Sequence, residues 1–289
     1  MIFMMLFIIP SVSMAQGPSA AEYGVVLNLS GKQRMLTQKM SKEMMLIALN
    51  HETEQNLQNL AATSSLFDKT LKGLRDGDKT LHLPPTTSKR IIKQLDRIKT
   101  QYWQDFYQVI KKVLVKKSVT KADVEKLAQA NLPLLKHMNR CVKLYEKDAS
   151  HAGLKSDPGL AVTINLSGKQ RMLTQKMSKE FLLIAYGYQI ADNKLNLLET
   201  TTLFNRTLLG LMDGDETLDL PGTKDRAIRK QLEAVMTLWH SFKPIVDAAI
   251  KPETKEITPA QITKLADFNL PLLREMNKAV GMYEKKAAN

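Results

Sequence analysis

Two stretches of identical sequence carry the residues in this chain best suited to chemistry. Residues 28–43 and 165–180 both read NLSGKQRMLTQKMSKE. Each holds one arginine, Arg34 or Arg171, three residues after a glycine, Gly31 or Gly168, and four residues before an amide, Gln38 or Gln175. On a helical wheel, Val25, Val26, Leu29, Leu36, Met40, Met44 and Ile47 share one arc, the core stripe of a packed helix. Lys32, Lys39 and Lys42 fall on a flank that water can reach. The opposite arc should be plain and charged if the helix packs on one side only. Instead it carries Leu27, Gly31, Arg34, Gln38 and Met45, with Thr37 and Ser41 at its edge. The second copy has Gly168, Arg171, Gln175, Ser178 and Leu182 there. A glycine inside a helix costs about 1 kcal/mol relative to alanine, so its presence suggests that another backbone or a ligand comes close.

The simplest partner for one such face is the other, across an approximate two-fold axis. That pairing would bring Arg34 and Arg171 together, either within one chain or as twins across a homodimer. Two guanidiniums ~5 Å apart repel by on the order of 3 kcal/mol at an effective dielectric of ~20. Neither readily sheds its proton. A planar oxyanion between them would take the forked donors of both and reverse the sign of that interaction. The expected site is therefore an anion clamp of Arg34, Arg171, Gly31, Gly168, Gln38 and Gln175. The bland alternative has each arginine paired with a nearby carboxylate or lying at the surface.

Other chemistries have little support. Glu43 and Glu180 lie at the edge of the core stripe without a nucleophile, metal ligand or second acid at a useful spacing. They are expected to hydrogen-bond across their helices, to Asn139 and Asn277. The five histidines are scattered and the one cysteine, Cys141, faces an alanine, Ala279, in the other copy. No catalytic residue, metal or cofactor is expected from that pattern. The net charge of +13 admits nucleic acid, acidic lipid or small anions as partners. The lysines are spread along helices and stacking aromatics are few, which argues against nucleic acid.

The elements that must position these residues repeat as well. In the first copy helices are expected over residues 25–49, 52–75, 88–116 and 120–149. Asp76-Gly77 stops the second, Pro84-Pro85 fills the connection, and Thr120 with Asp123 caps the fourth. The second copy has Asp213-Gly214, Pro221-Gly222 and Thr258 with Gln261 in those roles. Pro133 and Pro271 fall inside the fourth helices and predict bends there. Trp103 and Trp239 are matched anchors in the third. Short loops between amphipathic helices predict an all-α fold of two tandem antiparallel four-helix bundles, up-down-up-down, over residues 22–150 and 157–287. The opening MIFMMLFIIPSVSMAQG has an apolar run too short to span a bilayer, with Ser13 and Ala15 placed for cleavage. Residues 1–15 are read as a signal peptide for export.

The repeated motif, the Asp-Gly stop, the Leu-Pro turn and the ends Met138, Asn139, Tyr145, Glu146 and Met276, Asn277, Tyr283, Glu284 resemble the PilJ-type sensor domain of type IV pili chemotaxis transducers. The first-helix motif is also similar to the P-box of nitrate/nitrite sensor histidine kinases. That resemblance implies a periplasmic ligand-sensing bundle, with nitrate or nitrite held by Arg34 and Arg171 and the glycines permitting close approach. It also implies a membrane-bound signalling protein as the partner that reads the ligand state. The rival expectation is a periplasmic adaptor whose first-helix face binds another protein without a small ligand.

Overall fold

The computed structural model describes residues 17–154 and 157–288; the leader expected at residues 1–15 lies outside them. Helix α1 (Ala20–Ala48) opens on a capping box. The Ser19 hydroxyl accepts from the Glu22 amide and the Glu22 carboxylate accepts from the Ser19 amide. This cap starts the helix upstream of the expected position at residue 25. Helix α2 (Thr53–Asp76) stops at Gly77, whose φ of 85° favours a residue without a Cβ.

The single helix expected over residues 88–116 is divided. Helix α3 (Lys89–Arg97) runs through a π-helical turn, Ile98–Trp103, into α4 (Gln104–Lys116). Helix α5 (Lys121–His151) begins with the predicted Thr120–Asp123 capping box and carries Pro133 inside it.

The second repeat follows with α6 (Pro158–Ala185), α7 (Ile190–Asp213), α8 (Arg226–Ile250) and α9 (Pro259–Lys286). Gly214 stops α7 at a φ of 100°, and Thr258 with Gln261 boxes the start of α9 around Pro271 further along. Helix α8 is a continuous α-helix where the first repeat has its π turn. The described residues are thus all-helical apart from two isolated bridges, Asp78–Leu83 and Asp215–Leu220.

The centre of the molecule is the pairing of α1 with α6, the most extensive helix contact present. Helix α1 also packs on α2 and α5, and α6 packs on α7 and α9. The fourth helix of each repeat reaches the first helix of the other, through α5–α6 and α1–α9 contacts. Helix α1 is consequently covered on almost every side, with Leu27, Gln38, Met40, Met44 and Met45 all fully buried. The wheel's two packing faces are both occupied.

Each repeat has a matched aromatic anchor. Trp103 packs on Phe67 and donates its indole N–H to Asp68, at 2.9 Å. Trp239 packs on Phe204 and donates to Asn205, at 3.0 Å. Cys141 is buried and burial pushes its thiol pKa upward, so it is a small core residue and not a ready thiolate. Replacing Trp239 with alanine is expected to cost about 3–5 kcal/mol. Urea denaturation followed by circular dichroism measures this cost, and Trp103→Ala is expected to behave alike.

Candidate functional site at the helix crossing

Helices α1 and α6 run parallel and cross where Gly31 meets Gly168. A Cβ built on Gly31 would lie 3.9 Å from the Gly168 Cα, and the reverse holds at Gly168. That is ordinary van der Waals contact. The two backbones do come close, as the sequence suggests, but with room for a methyl at ordinary contact distance. Each glycine also lets both guanidiniums come up to the helix backbone. The same Cβ on Gly31 would lie 3.4 Å from Arg34 Nη2 and 3.6 Å from Arg171 Nη2. On Gly168 it would lie 3.4 Å from Arg171 Nη2 and 3.6 Å from Arg34 Nη2. Both guanidiniums converge on the crossing, within one chain.

Their hydrogen bonds are reciprocal. Arg34 Nη2 donates to the Asn165 carbonyl at 2.9 Å, and Arg171 Nη2 donates to the Asn28 carbonyl at 2.9 Å. Arg34 Nη1 reaches Asn139 Oδ1 at 3.4 Å, and Arg171 Nη1 reaches Asn277 Oδ1 at 3.3 Å. Both arginines are buried, yet the Nε of each has no hydrogen-bond partner among the described residues. Buried donors without partners are uncommon and costly.

The local field is cationic. Burial pushes Arg34 down to about 10, partly offset by Glu146. Burial and the neighbouring Arg34 push Arg171 down to about 9, partly offset by Glu284. Both remain charged near neutral pH. Lys32 is also lowered, by burial and by Arg171 across the crossing, and Lys169 by burial and Arg34. The two glutamates bind asparagine, not arginine. Glu284 accepts from Asn28 Nδ2 and Glu146 accepts from Asn165 Nδ2, so each ties a fourth helix to the crossing. Neither arginine forms an ion pair among the described residues, which removes the bland alternative.

Further along the pair, a second polar layer locks the repeats together. Asn131 of α5 accepts from Gln38 at 3.0 Å and donates to the Thr37 carbonyl and the Ser41 hydroxyl. Lys179 of the other repeat also donates to it, at 3.3 Å. Asn269 of α9 takes the matching bonds from Gln175 and to Thr174 and Ser178, and accepts from Lys42 at 2.9 Å. Gln38 and Gln175 therefore serve this layer, and no hydrogen bond joins them to the guanidiniums.

Lys42 was expected at a solvated flank; it is 5% exposed, because the other repeat's fourth helix covers it. Glu43 and Glu180 do not reach Asn139 and Asn277. Each turns to the lysine one helical turn earlier, Lys39 or Lys176, and Thr63 donates to Glu43 at 3.1 Å. The sequence missed Asn131, Asn269, Lys42 and Lys179. The one available signal was the pair of NLPLL strings, whose asparagines stand two residues before the prolines.

The sequence profile of PilJ, described as the type IV pili methyl-accepting chemotaxis transducer N-terminal domain, matches residues 19–129 and again residues 154–265. The chain belongs to the PilJ family. Both PilJ units contribute one arginine to the crossing. Over 125 residues the chain is also 26% identical to methyl-accepting chemotaxis protein McpN of Pseudomonas aeruginosa. That match covers 43% of this chain and 22% of the relative, so the chain spans less than a quarter of McpN. PilJ units of this kind point to a sensory or signalling role. Among the described residues no cluster of side chains could hold a metal ion, and no helix is long and apolar enough to cross a membrane.

Burial holds Lys42 and Lys179 down to about 8, against an ordinary 10.5, with Glu43 and Glu180 partly offsetting it. The folded chain therefore sheds these protons before the unfolded chain does. Their contribution disfavours folding below about 8, and it is relieved as the pH climbs from about 8 towards 10.5. The Lys42→Met, Lys179→Met variant is expected to lose that relief. Urea midpoints of wild type and variant at about pH 7 and about pH 9 measure it as a difference in slope.

Proposed function

We propose that this protein is an exported, periplasmic sensor-type protein that holds a small planar oxyanion between Arg34 and Arg171, with nitrate and nitrite as the leading candidates. The domains are taken as residues 22–150 and 157–287, each an up-down-up-down antiparallel four-helix bundle. One observation carries the reading. The Nη2 atoms of two buried arginines that have no carboxylate partner converge on the glycine crossing, each within 3.6 Å of where a Cβ on Gly31 would stand.

An oxyanion bridging the two guanidiniums would neutralise the repulsion between them and give the unpartnered Nε groups an acceptor. The PilJ membership fits a sensory role, and the resemblance of the first-helix motif to the P-box of nitrate/nitrite sensor histidine kinases favours the same class of ligand. Occupancy would tighten the α1–α6 crossing. Asn139, Asn277, Glu146 and Glu284 would carry the change into α5 and α9, the helices that a membrane-bound signalling partner would read. The rival reading, an adaptor that offers its first-helix face to another protein, loses its surface. That face of α1 is already covered by α6.

Calorimetric titration with nitrate tests the clamp. Wild type is expected to give saturable heat, and Arg34→Ala and Arg171→Ala to lose it. Unchanged nitrate affinity in the double variant would sink the proposal. A second variant separates ligand from fold. Gly31→Ala with Gly168→Ala places two methyls in ordinary contact and adds about 1 kcal/mol of helix propensity at each site. It is expected to match or exceed wild type in urea midpoint, yet to lose the nitrate heat.

A further inference from the structure

The two repeats differ, beyond the π turn, in the groove at the start of each first helix. Where the first helix begins, it faces the Leu-Pro turn and the end of the fourth helix of its own repeat. In the first repeat this groove holds Tyr23, whose ring lies against Gly153 so closely that any Cβ there would collide. The cavity left beside it is about 50 Å³. Tyr145 closes the floor by donating its hydroxyl to the Leu74 carbonyl at 2.9 Å.

In the second repeat Leu160 stands where Tyr23 stands in the first, and Thr163 replaces Val26. The turn there is Pro221-Gly222-Thr223, with Gly222 at a φ of 72°. A Cβ on Gly222 would lie 2.8 Å from the Asp213 carbonyl carbon, so the turn is pressed onto the end of α7. The cavity widens to about 260 Å³. Tyr283, the counterpart of Tyr145, lines it at 3% exposure; its hydroxyl makes no hydrogen bond of good geometry among the described residues, with the Thr223 side chain as the polar group beside it. Burial pushes the phenol pKa up to about 12, so the group stays a donor.

The rim carries both signs of charge. Lys224 and Lys286 line the cavity and form no ion pair among the described residues. Asp157 and Asp225 line it too. One oxygen of each accepts helix amides, from Leu160 and from Ala227 and Ile228. The other oxygen of each accepts no hydrogen bond among the described residues.

We infer that this cavity of the second repeat is a binding site for a small zwitterion, an α-amino acid being the simplest. The carboxylate would meet the Tyr283 hydroxyl and the two lysines, and the ammonium would meet the free oxygens of Asp157 and Asp225. The volume is below the ~300 Å³ at which pockets begin to suit drug-sized molecules, which limits the ligand to a small metabolite. The site is separate from the arginine crossing and does not depend on an anion binding there.

The test is calorimetry on the full chain with the common α-amino acids one by one, and with acetate and methylamine as single-charge probes. At least one amino acid is expected to bind with a Kd of about 1 mM or tighter. Acetate and methylamine are expected to bind more weakly. Leu160→Tyr, which refills the groove as Tyr23 does, is expected to abolish that heat. Tyr283→Phe removes one oxygen from the floor and is expected to weaken binding by about tenfold. Nitrate heat serves as the internal check that both variants are folded and is expected to be unchanged; if nitrate gives none with wild type, circular dichroism takes its place. The inference is overturned if no amino acid gives a saturable signal, if acetate binds as tightly as the best amino acid, or if Tyr283→Phe leaves the affinity unchanged.

Discussion

Two like charges held together inside a protein set the terms for the rest of this structure. Arg34 and Arg171 are buried at a helix crossing, and neither has a carboxylate in contact. Left alone, such a pair would push the helices apart. It is tolerated here because neutral acceptors, the Asn28 and Asn165 carbonyls and the Asn139 and Asn277 amides, solvate the guanidiniums without neutralising them. The glutamates that could cancel the charge are held one residue away by asparagine side chains. The result is a packed interface that holds two uncancelled positive charges.

Beside that arrangement lies the layer around Asn131 and Asn269. Each asparagine binds residues of its own first helix and one lysine from the other repeat. The asparagine bonds specify geometry, because a slipped register would strand them, although the Gln38 and Gln175 amide oxygens in the same layer have no partner among the described residues. The lysines have a single donor–acceptor contact each to the opposite repeat, and burial lowers their pKa. This layer therefore fixes the register of α1 against α6 while the crossing itself stays under electrostatic tension.

Much of this was legible in the sequence, for a physical reason. A helix with a second apolar and small-residue arc has to bury it, and the wheel alone placed Leu27, Gly31, Arg34 and Met45 on that arc. The caps at Thr120 and Thr258 and the glycine stops were readable because they are local rules. What was not readable depended on register between distant helices. Lys42 looks solvated on its own helix and is buried only because α9 of the other repeat crosses it. Asn139 and Asn277 were assigned to the glutamates on proximity in a bundle, but the arginines reach them first. Glu43 prefers the lysine one turn away, an interaction that short-range spacing does predict. The π turn at Ile98–Trp103 has no sequence signal that distinguishes it from the unbroken α8.

The short link between α5 and α6 changes what kind of object the crossing is. If the two arginine helices belonged to separate molecules, the site would exist only in proportion to how often those molecules met. A connection of a few residues fixes the local concentration of each half around the other at a level set by tether length, on the order of millimolar. The site therefore survives dilution. It also frees each half from having to be a copy of its partner. One chain can keep the shared crossing symmetric and let its two outer grooves drift apart, as Tyr23 and Leu160 already have.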